Sequence, residues 1–152
     1  MVDDEKGSFA GKAAREIKEE TGLEVKESEL LDMTKLALKG VQPDSLSAAE
    51  SLEEAMYPSP GACDESITLY LCQKRLKREH LEDLKGSATG LAKEGENIKL
   101  KLVPLSRLWR EAARDAKALA ALSLYENIKR MGVLPDMPND LDERSKEWRP
   151  KM

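Results

Sequence analysis

The acids of Arg15-Glu16-Ile17-Lys18-Glu19-Glu20-Thr21-Gly22-Leu23 are the residues best suited to do chemistry in this sequence. At about 100° per residue in a helix, Glu16, Glu19 and Glu20 fall within an arc of roughly 100°, while Ala10, Ala13, Ala14, Ile17 and Thr21 line another side. One face can pack while the other turns carboxylates toward water or a ligand. Carboxylates at i,i+3 and i,i+4 repel by roughly 0.2 to 0.5 kcal/mol per pair, and acids near a helix C-terminus also oppose the macrodipole. A bound divalent cation would offset both penalties, and hard oxygen donors suit Mg²⁺ or Mn²⁺. The plain alternative is a solvated face on which Lys12 pairs with Glu16 and Arg15 with Glu19.

Two further segments carry acids in suggestive places. In Gly90-Leu91-Ala92-Lys93-Glu94-Gly95-Glu96-Asn97-Ile98, the carboxylates of Glu94 and Glu96 flank a glycine just before a strand, and a spacing of two lets both point the same way. A glycine-flanked loop could bring such a carboxylate to a metal-bound water as a general base; an acidic surface loop is the ordinary explanation. Tyr57-Pro58-Ser59-Pro60-Gly61-Ala62-Cys63-Asp64-Glu65 is a rigid turn ending in two acids. Gly7 to Ala13 has a superficial likeness to a phosphate-binding P-loop, but it is one spacer short and Ala13 stands where a hydroxyl is required. Those residues read better as the entry to the acidic helix.

Composition narrows the chemistry. A chain of 152 residues with 40% hydrophobic content fits one domain with a core of useful size. A net charge of −4 and a pI near 5.3 leave no basic footprint for nucleic acid. No apolar run reaches membrane-spanning length and the charged start is unlike a signal peptide, so the expected setting is intracellular, with no membrane partner. Cys63 and Cys72 lack the spacing of zinc ligands or a redox pair and are expected to be free, partly buried thiols. His80 is the sole histidine and lies in Lys77-Arg78-Glu79-His80-Leu81, where a surface position is expected. A histidine-rich zinc site is therefore impossible, and a Ser-His-Asp arrangement would have to use His80. Carboxylate and metal chemistry remains.

The elements that must position these acids form an α/β pattern. Ser8 caps a helix running to about Thr21, and Gly22 stops it in left-handed geometry. Leu30 to Leu38 reads as an uneven strand, Gly40 to Met56 as a variable insertion with helical turns over Ala48 to Ala55, and Ser59-Pro60-Gly61 as a tight loop. Strands are expected over Ser66 to Leu71 and from Ile98 through Val103, with a short helix between them over Arg78 to Leu84. Helices follow over Ser106 to Ala113 and Asp115 to Met131; in the latter, Ala118, Leu122, Tyr125 and Ile128 form a core stripe. Residues 135–152 read as a polar tail, expected to be mobile.

From Arg15 to Leu23, the pattern Arg-Glu-apolar-x-Glu-Glu-x-Gly-apolar resembles the second half of the Nudix hydrolase signature at every specified position. The turn at Ser59, the loop at Glu94 and the stretch Leu108-Trp109-Arg110 follow it in the order found in the ADP-sugar diphosphatases, especially plant-type members that hydrolyse ADP-glucose. The resemblance covers about residues 1–134. It implies a Nudix-type α/β/α sandwich, incomplete at its amino end, with the Nudix helix near residues 8–21. It also implies Mg²⁺-dependent cleavage of ADP-glucose or ADP-ribose to AMP and a sugar phosphate, with Mn²⁺ as a possible substitute.

The resemblance makes Glu16 and Glu20 principal metal ligands and Glu19 a further one. Arg15 orients those acids and Gly22 is structural. Glu96 contributes to the metal site and Glu94 is the matched base, the assignment between them being open. Ser59, Pro60, Gly61 and Glu65 line the substrate cleft. The signature's first glycine would precede Met1, with Glu5 as its candidate acid, and the strands and Pro-Ala-Gly stretch that normally precede the helix lie outside this sequence. The resemblance therefore implies a homodimer for the full-length protein, in cytoplasm or plastid, and little activity for these 152 residues alone. The other reading is a truncated, non-catalytic remnant that binds a nucleotide or a partner.

Overall fold

Ser8 starts the first helix: its backbone is extended, and its hydroxyl accepts a hydrogen bond from the Gly11 amide at 3.0 Å. Gly22 ends that helix at φ 73°, its amide donating to the Lys18 carbonyl at 2.9 Å. The computed structural model describes residues 8–41, 55–89 and 97–139. In chain order the elements are α1 (Phe9–Thr21), a 3-10 turn (Glu27–Glu29), β1 (Leu30–Asp32), α2 (Met33–Leu38), β2 (Tyr70–Cys72), α3 (Arg78–Leu84), β3 (Ala88–Thr89), β4 (Ile98–Lys99), α4 (Leu105–Glu111) and α5 (Ala116–Arg130). The α/β character is as expected. Among the described residues the strands form two-stranded sheets, β1 with β2 and β3 with β4.

The chain divides into two compact units: Met1–Leu30 with Cys72–Leu102 and Asp136–Met152, and Leu31–Leu71 with Val103–Pro135. In the first, α1 packs against the 3-10 turn and β3. Among the described residues there, Ala14, His80 and Leu84 are buried. His80 corrects the sequence expectation of a surface residue, since it is only 6% exposed. It stands one turn before Leu84 on α3, so its ring shares the inward face even though Arg78 and Glu79 beside it point to water. A partly buried ion pair, Lys74 Nζ to both Glu29 carboxylate oxygens at 3.3 Å, ties the 3-10 turn to the chain after β2. Glu29 also accepts from the Lys26 amide at 2.7 Å.

In the second unit, α2 and α4 pack on α5. Met33, Leu122 and Ile128 are buried, each worth roughly 1.5 to 3 kcal/mol of apolar transfer. Ala118 and Tyr125 are half-buried, so the expected stripe on α5 does face the interior. Asp115 caps α5 by accepting from the Lys117 and Ala118 amides at 2.9 and 3.3 Å. The buried Thr34 hydroxyl accepts from the Leu69 amide at 3.3 Å, which satisfies a polar group that would otherwise be costly to bury.

Three strand expectations are revised. Leu30 to Leu38 is a strand only to Asp32, whose carboxylate accepts from the Lys35 amide at 2.8 Å and caps α2; a helix cap followed by good helix formers outweighs a weak alternation. Ser66 to Leu71 yields the shorter, shifted β2, with Ile67 in an isolated antiparallel bridge to Met56. The strand from Ile98 is confined to Ile98–Lys99, although Leu100 continues the hairpin through bonds with Ser87 and Gly86 at 3.1 and 3.0 Å. Helix α3 has its expected bounds, and α4 is shifted by one residue at its start and two at its end. The expected helical turns over Ala48 to Ala55 lie almost wholly outside the described residues, as does most of the tail.

Candidate metal site on the first helix

Helix α1 has the two faces its sequence implied. Glu16, Glu19 and Glu20 are exposed, Ala14 is buried, and Ala10, Ala13, Ile17 and Thr21 are half-buried. Among the described residues no ion pair engages the three carboxylates, and the lysine between them, Lys18, reaches instead to Glu24 at 2.6 Å. The ion pairs of the plain alternative, Lys12 with Glu16 and Arg15 with Glu19, are thus not seen among the described residues. Arg15 is exposed on the same helix.

The C-terminal turn of α1 is held from two sides. The Thr21 hydroxyl donates to the Ile17 carbonyl at 2.5 Å and accepts from the Leu23 amide at 3.2 Å, closing the helix onto Gly22. The Thr89 hydroxyl donates to the Glu20 carbonyl, one of the terminal carbonyls that the helix itself leaves without an amide partner. Thr89 pairs with Ile98 across the antiparallel β3–β4 hairpin. Glu94 and Glu96 fall between Thr89 and Ile98 in the sequence and lie outside the described residues.

The N-terminal end of α1 holds a residue that sequence reasoning missed. Glu27 accepts from the Ser8 hydroxyl at 2.6 Å and lies so close to the helix that a Cβ on Gly11 would come 2.5 Å from its Oε1. Its negative charge faces the positive end of the helix dipole. The available signal was Gly11 itself, since a glycine inside a helix of alanines costs about 1 kcal/mol unless something approaches closely.

Ser59, Pro60, Gly61 and Glu65 are exposed in the second unit, where the Ala62 and Cys63 amides both donate to the Ser59 carbonyl at 2.9 Å and make the expected tight turn. Cys63 is exposed and Cys72 half-buried, and both are free thiols, so burial holds for the second alone. Trp109 on α4 is 53% exposed with the Arg110 guanidinium 4.8 Å from its ring centre. Burial raises the Tyr70 hydroxyl above the ordinary tyrosine range, and the negative charge of Asp32 adds to that shift. No helix among the described residues is long and apolar enough to cross a membrane.

The donor set of α1 is of the right chemical kind for Mg²⁺: hard carboxylate oxygens, exposed and, among the described residues, outside any ion pair. Among the described residues, no three His, Cys, Asp or Glu side chains converge closely enough to form a closed ligand group. The helix thus supplies ligands along one face rather than a finished cage.

No protein-family model and no solved structure matches the chain. A curated protein from Arabidopsis thaliana is 38% identical to it over 134 residues, 88% of this chain, and bears the same family name as the motif on α1. The chain belongs to the Nudix hydrolase family. That relative is Nudix hydrolase 14, chloroplastic, and the chain spans 40% of its length.

Proposed function

We propose that this chain serves the Mg²⁺-dependent hydrolysis of an ADP-sugar, ADP-glucose or ADP-ribose, to AMP and a sugar phosphate. The observation that carries the reading is α1 itself, with Glu16, Glu19 and Glu20 exposed together on a helix anchored at both ends. Family membership supports a hydrolase acting on a nucleoside diphosphate linked to another group. In this reading Glu16 and Glu20 bind Mg²⁺, Glu19 adds a further ligand, and Arg15 orients them. When bound there, Mg²⁺ would supply positive charge to offset that of the diphosphate and to ease deprotonation of water. Glu94 or Glu96 takes the proton of the attacking water as it adds to phosphorus and a P–O bond of the diphosphate bridge breaks. Ser59, Pro60, Gly61 and Glu65 contact the substrate. Mn²⁺ can replace Mg²⁺, the expected assembly is a homodimer, and cytoplasm and plastid are both open as compartments.

The alternative reading of the same acidic face makes the chain a recognition module. In it, the chain binds a nucleotide or a partner without turnover. The two are separated by measuring AMP release from ADP-glucose and ADP-ribose with Mg²⁺, using this chain and a version extended at its amino end. Hydrolysis that is lost in Glu20→Gln supports the enzyme. No release by a folded extended protein overturns it and leaves the binding module.

A further inference from the structure

Among the described residues, one bond from outside α1 reaches the backbone of a proposed ligand. Its donor is the Thr89 hydroxyl and its acceptor is the backbone carbonyl of Glu20 itself. The two residues are 69 positions apart in sequence, so nothing local to α1 requires the contact. Without it, the Glu20 carbonyl would depend on water, because the last turn of a helix has no amide to offer its final carbonyls. Helix ends fray, and an exposed terminal turn bearing several like charges frays more readily. Thr89 is half-buried and fixed by its pairing with Ile98, so the hydroxyl is presented from a strand rather than from a free loop.

We infer that Thr89 is a positioning residue for the proposed metal ligands: by holding the Glu20 carbonyl, it fixes the helical turn from which the Glu19 and Glu20 carboxylates project. The inference rests on the reading of α1 as a Mg²⁺ site. Glu16, one turn earlier, belongs to a part of α1 whose carbonyls have helical partners, so the effect falls on the two later acids. An oriented carboxylate loses less freedom on binding a cation, and residues that orient metal ligands typically change affinity by about tenfold or more.

The test measures Mn²⁺ binding to the folded chain by the loss of its free-ion electron paramagnetic resonance signal, in the parent and in Thr89→Val, Thr89→Ser and Glu20→Gln. Circular dichroism establishes that each variant keeps its helix content. The expected result is about tenfold weaker binding in Thr89→Val, recovery to within about twofold in Thr89→Ser, and the largest loss in Glu20→Gln. If Glu20→Gln binds poorly while Thr89→Val binds like the parent, the positioning role is overturned and the metal site stands. If Glu20→Gln also binds like the parent, the metal reading fails and this inference fails with it. Should Thr89→Val lose helix content, Thr89→Ser and Thr89→Ala decide: parent-like affinity in folded Thr89→Ala overturns the inference, and weakening in Thr89→Ala with recovery in Thr89→Ser supports it.

Discussion

The Glu27 carboxylate accepts a hydrogen bond from the Ser8 hydroxyl at 2.6 Å, joining the residue that caps α1 to a turn 19 residues further along the chain. The same carboxylate occupies the space a side chain on Gly11 would need. The start of α1 is therefore set by a three-residue arrangement: Ser8 caps the helix, Glu27 covers it, and Gly11 makes room.

Coupling between Gly11 and Glu27 follows from that arrangement. In the parent, Gly11→Ala gains helix propensity of about 1 kcal/mol but displaces Glu27, so urea denaturation should show a change near zero. In a Glu27→Ala background, the same substitution should stabilise by the full amount, about 1 kcal/mol. Equal effects in both backgrounds would show that Glu27 does not press on the helix.

Gly22 holds φ at 73°, a conformation side chains resist. Gly22→Ala should cost about 1 to 2 kcal/mol in thermal or urea unfolding, and Gly22→Asn should recover part of the loss because asparagine tolerates left-handed geometry. An alanine variant as stable as the parent would mean that α1 can end in another way.

Like-charge repulsion on α1 sets the sign of a third outcome. In metal-free buffer, Glu20→Gln should raise stability by roughly 0.2 to 0.5 kcal/mol, because it removes the i,i+4 repulsion from Glu16. With Mg²⁺ added, the parent should gain melting temperature and the variant should gain less. Identical shifts in both proteins would separate Mg²⁺ from this face of the helix.

Tyr70 supplies a pH signature. Its folded-state pKa lies above the ordinary value because burial and then Asp32 disfavour the phenolate. The neutral form is thus preferred by the fold, and the associated stability is fully present below about pH 10 and is lost as pH rises through the folded value. Alkaline titration at the phenolate absorbance should show one tyrosine ionising late. Tyr70→Phe should remove that step, and Asp32→Asn, which keeps a capping oxygen, should bring it down. A late step that persists in Tyr70→Phe would overturn its assignment to Tyr70.

Local signals were the legible ones. Ser8, Gly22 and Asp115 each act on backbone groups within four residues, and each begins or ends its helix where the sequence implies. Amphipathic spacing located the packed side of α1 and the stripe of α5 for the same reason, since a helical period is visible in any short window. The strands were harder. A strand is stabilised by a partner that can lie far along the chain, and β2 and β4 proved shorter than their alternation suggested. Asp32 misled because a capping acid inside an apolar run can be read either as a polar interruption of a strand or as the start of a helix. His80 misled because charged neighbours describe one side of a helix and say little about the opposite side.

By itself the sequence determined the acidic face of α1, its caps and its family, since all three reside in residue identity and short spacing. Tertiary structure alone decided that Thr89 meets Glu20, that Glu27 covers the helix start and that His80 is buried. Those outcomes depend on which distant segments come together, and the energy of such contacts exists only once the chain has brought them within hydrogen-bonding or packing distance.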